Sequence, residues 1–102
     1  MSPKLLKGKY ADLKNSAAIH AALAKDGYKI FSWSDRPGAY YSKHSHPHDE
    51  YIVVESGQII FLIQEQSYPL EKGDALILPA GTVHEAKNSS TDNVSYFICT
   101  RQ

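Results

Sequence analysis

This 102-residue sequence predicts an all-β domain preceded by one short helix, and three observations predict it. Runs rich in Val, Ile, Tyr, Phe and Trp recur between turn residues at intervals of roughly eight to twelve residues, the spacing of an antiparallel sandwich or barrel. Helical character is confined to one stretch, residues 15–26. No helix lies between the strands, which disfavours a parallel α/β sheet.

Taken in order, residues 1–14 scatter their lysines rather than cluster them, and read as a solvated, partly ordered arm. The single domain is expected over 15–102. In NSAAIHAALAKD, Asn15 or Ser16 can cap a helix and Gly27 can end it with a left-handed residue. Ile19 and Leu23, four apart, make its small apolar face. His20 lies beside that face and reads as a surface or packing residue. After Gly27 the period changes: YKIFSW is a strand, and Asp35-Arg36-Pro37-Gly38 is a turn signal. AYYSKHSH, EYIVVES and QIIFLIQ follow as strands, with a turn expected at Glu65-Gln66-Ser67. YPLE, ALILP, TVHEAKN and VSYFICT complete the set, separated by Lys72-Gly73-Asp74, Pro79-Ala80-Gly81-Thr82 and the polar loop 89–93.

Composition excludes several function classes. Lysine plus arginine equals aspartate plus glutamate, 11 each. That balance supplies no long-range field for nucleic acid or an anionic membrane, so neither partner is expected. The single cysteine, Cys99, rules out an intramolecular disulfide and a thiolate-rich zinc site. It reads as a small buried apolar residue among Tyr96, Phe97 and Ile98. The basic MSPKLLKGKY is not followed by an apolar core of signal-peptide length, and no apolar run is long enough to span a bilayer. A cytoplasmic location is expected.

Four of the five histidines fall in two short segments. On a strand, alternate side chains share a face, so His44 and His46 point the same way, about 6.6 Å apart at 3.3 Å per residue. Glu50 would lie roughly 20 Å from His44 if that strand ran straight. Pro47 interrupts it, so Glu50 can face back from the next strand, with Ile52 and Val54 on its side. Gly57 can then reverse the chain through a positive φ. His84 follows the 79–82 turn and joins the set if its strand borders the first two.

Gly38, His44, His46, Glu50 and Gly57 resemble the first cupin motif at every fixed position. Gly73, Pro79, Gly81, His84 and Asn88 likewise match the second. Ten residue types at fixed spacing and in the right order make a strong signal for fold and metal site, and a weak one for reaction. The resemblance implies a jelly-roll β-barrel with one divalent ion (Fe, Mn, Ni, Co or Zn) bound by His44, His46, Glu50 and His84. It further implies a homodimer and a small-molecule ligand or substrate. Two functions follow from it. One is a metal-dependent enzyme of dioxygenase or isomerase type acting on a small polar molecule. The other is a non-catalytic small-ligand-binding or dimeric scaffold cupin with a structural ion.

His48 is not a fixed position of the motif and reads as a rim histidine outside the ligand set. Tyr40 shares strand parity with His44 and His46 and is expected to line the cavity below them. Phe61, Tyr96, Trp33 and Ile98 are further candidates for its wall. Arg36, in a turn, reads as a surface residue.

Overall fold

The computed structural model describes residues 2–101. Nine strands and one helix are present among them: β1 (Lys4–Leu6), α1 (Ser16–Lys25), β2 (Tyr28–Asp35), β3 (Tyr40–His44), β4 (Glu50–Ser56), β5 (Gln58–Ile63), β6 (Gln66–Glu71), β7 (Ala75–Leu78), β8 (His84–Lys87) and β9 (Val94–Arg101). They form two antiparallel sheets, one of order β1-β7-β4-β9-β2 and one of order β3-β8-β5-β6. This is the expected all-β jelly-roll with a short N-terminal helix.

The apolar pattern explains how the sheets stack. Ile52 and Val54 of β4 face inward and meet Ile59 and Phe61 of β5 with Leu76 and Leu78 of β7. Tyr51 and Val53, on the other face of β4, are buried too. They lie under α1, where Ile19 and Leu23 pack on Val53, Ala75 and Phe97. A strand covered on both faces reads as an unbroken apolar run, as YIVV does. Ile19 and Leu23 are fully buried, and each contributes about 1.5–3 kcal/mol through that burial. Asn15 caps the helix, its side chain accepting from the Ala18 N–H at 2.9 Å, and Gly27 follows at φ 87°.

Three details depart from the expectations. Part of the 1–14 segment is docked rather than solvated: Lys4–Leu6 pairs antiparallel with β7. Lys7 and Gly8 then bind the Asp74 carboxylate at 2.8 and 2.7 Å. The β5–β6 turn falls at Gln64-Glu65, both at positive φ, one residue earlier than the polar run suggests. The third departure is at β3. Tyr41 pairs with Ala86, yet His44 pairs with His84, so β3 carries one extra residue between them, a β-bulge.

Candidate metal centre

The bulge decides which side chains face inward. Unbroken alternation would put Tyr40 on the face of His44. The extra residue reverses the alternation, so Tyr41 and His44 line the cavity together. The expectation for Tyr40 is therefore corrected. It is 56% exposed, and its hydroxyl donates to Glu85 Oε1 at 2.5 Å, outside the cavity.

His44 ends β3 and His84 opens β8, directly opposite each other. His46 lies just past the end of β3, where the chain bends at Pro47 and His48. Two bonds tie this bend to the β7–β8 turn. Gly81 N–H donates to the His46 carbonyl at 2.8 Å, and Ala80 N–H to Asp49 Oδ1 at 2.7 Å. His46 is thereby held over the other two imidazoles. Ring centroids lie 4.3 Å apart for His44–His84, 4.9 Å for His44–His46 and 5.4 Å for His46–His84. One ligating nitrogen from each falls within 4.8 Å of the others.

Tautomers follow from the backbone contacts. His44 Nδ1 lies 2.6 Å from the Ser42 carbonyl and His84 Nδ1 lies 2.9 Å from the Thr82 carbonyl. A carbonyl only accepts, so each Nδ1 carries the proton and each Nε2 keeps its lone pair. Burial holds the His84 imidazole below the usual histidine range, with His44 and His46 adding to the effect. The Thr82 carbonyl and Glu50 pull the other way without overcoming it. Neutral imidazole is the form that binds a metal.

Glu50 opens β4, which belongs to the other sheet, so the site bridges both sheets at the cavity mouth. Its side chain is mostly buried, with Oε1 3.9 Å from His46 Nε2 and Oε2 3.3 Å from His48 Nε2. His48 is half exposed on the rim and contributes nothing to the cavity wall. The three imidazoles suit a first-row divalent ion, whereas Glu50, 3.9 Å from His46, is not part of the group whose ligating atoms all lie within 4.8 Å of one another.

Behind this cluster is a cavity of about 240 Å³ walled by Trp33, Tyr41, Ile52, Phe61, Tyr96 and Ile98, with Ala86. Its wall is predominantly apolar. Asp35, 8% exposed, fastens that wall: Tyr41 donates to its Oδ1 and Tyr96 to its Oδ2, both at 2.5 Å. Sequence reasoning missed Asp35 and Tyr41. The first looked like a turn residue, and the second faces inward only because of the bulge. Arg36 is exposed in its turn and His20 is exposed on α1, against Phe97. Cys99 is fully buried under the helix, and burial pushes its thiol up to about 12. Asn88 is buried and structural: its side chain donates to the Asp92 carbonyl at 2.8 Å and accepts from Ser90.

Comparison with known proteins bears on the fold and the family. The chain is similar to the uncharacterized protein YjlB of Bacillus subtilis (strain 168), with 29% identity over 82 residues. That match covers 78% of this chain and 49% of the relative, so the chain spans about half the length of the curated relative it matches. The crystal structure of a cupin superfamily protein from Desulfitobacterium hafniense DCB-2 is similar over 98% of this chain and 77% of that one, at 17% identity and a TM-score of 0.64. The DMSP lyase DddQ from Ruegeria pomeroyi DSS-3 is similar over 76% of this chain and 39% of that one, at 23% identity and a TM-score of 0.66. At these identities the structural likenesses speak for the fold. The model of the Cupin domain family matches residues 31–100, most of the chain and both histidine segments, and the chain belongs to the cupin family.

Proposed function

We propose that this cupin is a metal-dependent enzyme in which His44, His46, His84 and Glu50 hold one divalent ion beside a small-molecule cavity. The observation that carries this reading is the convergence of three imidazoles, each with a ligating nitrogen within 4.8 Å of the others, at the mouth of an apolar cavity. When bound, such an ion supplies Lewis-acid polarisation of a substrate oxygen or an activated water. The chain's own residues do the rest. The Ser42 and Thr82 carbonyls orient His44 and His84. The apolar wall excludes bulk water from a ligand's body. Glu50 adds a carboxylate beside His46, with its other oxygen 3.3 Å from His48 on the solvent-exposed rim.

The likeness to a DMSP lyase supports an enzyme only in that the same fold carries catalysis elsewhere. Metal analysis of the purified chain tests the proposal, followed by His84→Ala and Glu50→Ala. Full metal content in both variants means the ligand assignment is wrong. Metal loss without turnover of any compound in a broad substrate panel would favour a small-ligand-binding module. Fe(II)-dependent oxygen consumption would mark the dioxygenase form.

A further inference from the structure

Behind the cavity wall lies a carboxylate that metal binding leaves unused. Asp35, at the end of β2, is buried, and both its oxygens accept from tyrosine hydroxyls, Tyr41 and Tyr96. Trp33 Nε1 in turn donates to the Tyr41 hydroxyl at 3.0 Å. Two donors on the two oxygens are the arrangement of an acceptor-only, ionised carboxylate. Buried carboxylates are ordinarily paired with a cation. Among the described residues the ion pairs are Lys7–Asp74 and those of His46 and His48 with Glu50, so Asp35 has no cationic partner. Trp33, Tyr41, Phe61 and Tyr96 line the cavity, and no lysine or arginine does.

We propose that this aromatic wall takes a small organic cation of the alkylammonium class, an inference that rests on the reading of the cavity as the ligand site. Aromatic faces attract a cation through the ring quadrupole, more strongly where water is excluded. Asp35 adds a negative charge one phenol away and draws on the hydroxyl protons of Tyr41 and Tyr96, leaving their oxygens electron-rich. In the metal-free chain an anionic group would find no counter-charge on this wall, and a neutral one would gain contact but no electrostatic attraction. A divalent ion on the histidines of the same cavity would oppose the cation, so the Zn(II)-loaded protein should bind choline more weakly than the metal-free one. The volume of about 240 Å³ is below the roughly 300–1,000 Å³ of pockets for larger ligands, so the cation is small. Trp33, on the edge strand β2, is half exposed and lines the cavity.

Trp33 is the single tryptophan of the chain, so its fluorescence reads this wall directly. The test titrates choline, its neutral isostere 3,3-dimethylbutan-1-ol and the anionic 3,3-dimethylbutanoate into chelator-treated and Zn(II)-loaded protein at constant ionic strength. In the chelator-treated protein choline is expected to bind about tenfold more tightly than the neutral alcohol, with the anion weakest. Asp35→Asn should bring the ratio of choline to alcohol affinity towards one, whatever it does to the affinity for the alcohol itself. Equal or tighter binding of the alcohol overturns the inference, as does a choline titration that fails to saturate. Should Asp35→Asn not fold, the wild-type ratio decides alone, with Tyr41→Phe as the second variant. Zinc stoichiometry is measured separately. A choline preference in a chain that binds no zinc removes the metal reading alone, and stoichiometric zinc without the preference removes this inference alone.

Discussion

His44 and His84 face each other across β3 and β8 with ring centroids 4.3 Å apart. They meet because a single extra residue in β3 moves His44 onto the cavity face. Each is held by backbone two residues earlier in the chain, His44 through the Ser42 carbonyl of β3 and His84 through the Thr82 carbonyl in the turn before β8. The pair is thus preorganised before any ion arrives, and His46 and Glu50 are brought to it by the turn that Pro47 begins.

Removing either member of the pair should abolish binding without abolishing the fold. His44→Ala and His84→Ala are expected to lower divalent-metal affinity by more than about 100-fold, since weakening a mere orienting partner already costs about 10–100-fold. Metal that binds only the folded chain stabilises it by about 2.7 kcal/mol at a hundred times Kd. Adding Ni(II) or Zn(II) should therefore raise the wild-type melting temperature by about 10 °C. The variants should keep their strand signature in circular dichroism and show no such rise.

His48→Ala should separate rim from ligand set. His48 touches Glu50 at 3.3 Å but stands half exposed and off the cavity wall. Metal stoichiometry by elemental analysis is expected to match wild type, whereas Glu50→Ala should reduce it. Loss of metal in His48→Ala would place that histidine among the ligands and break the four-ligand arrangement.

Much of the fold and the site is legible in the amino-acid sequence itself. The ten fixed residues of the two motifs specify the barrel and its histidine face, and the turn at Pro47 follows from proline chemistry alone. Local reasoning fails where pairing is non-local. Strict alternation puts Tyr40 inside because nothing in YYSKH announces a bulge; only pairing with β8 reveals it. Asp35 reads as a turn former until Tyr96, 61 residues away, donates to it. Lys4–Leu6 is too short to show a period, and becomes a strand because β7 offers it an edge.

Glycine replacement should divide conformational from steric cost. Gly57 has φ 79°, and a Cβ there would sit 2.3 Å from the Asn93 carbonyl oxygen and 2.8 Å from Val94 Cα. Gly38 has φ 85° with nothing within 4 Å of its Cβ position. Gly38→Ala should cost about 1–2 kcal/mol, the usual penalty of a left-handed L-residue. Gly57→Ala carries the same penalty and must also shift backbone, so its denaturation midpoint should fall well below that of Gly38→Ala. Equal midpoints would mean that the β4–β5 turn can relax around the methyl group.

Asp74 gives the fold a defined acid limit. Its carboxylate is buried and accepts from Lys7 Nζ at 2.8 Å, Gly8 N–H at 2.7 Å and Glu71 N–H at 3.0 Å. Burial alone would raise its pKa, but the Lys7 hydrogen bond and the two backbone donors together hold it below the ordinary 3.8. A carboxylate whose folded pKa is depressed contributes stability that is fully present above the unfolded value. That contribution is lost as pH falls through 3.8 towards the folded value. Lys7, raised above 10.5 by the same contact, titrates only at the alkaline end, so the pair is constant through neutrality. Its ammonium is largely in solvent, and most of the effect belongs to the backbone donors that pin residues 7–8 to the β6–β7 turn. Asp74→Asn should therefore lower stability at pH 7 by about 1–3 kcal/mol, the cost of leaving buried donors poorly matched. Urea midpoints of wild type and variant should converge as pH falls below 3.8. A gap that stays constant from pH 7 to pH 3 would show that the charge of Asp74 contributes nothing and that only its shape matters.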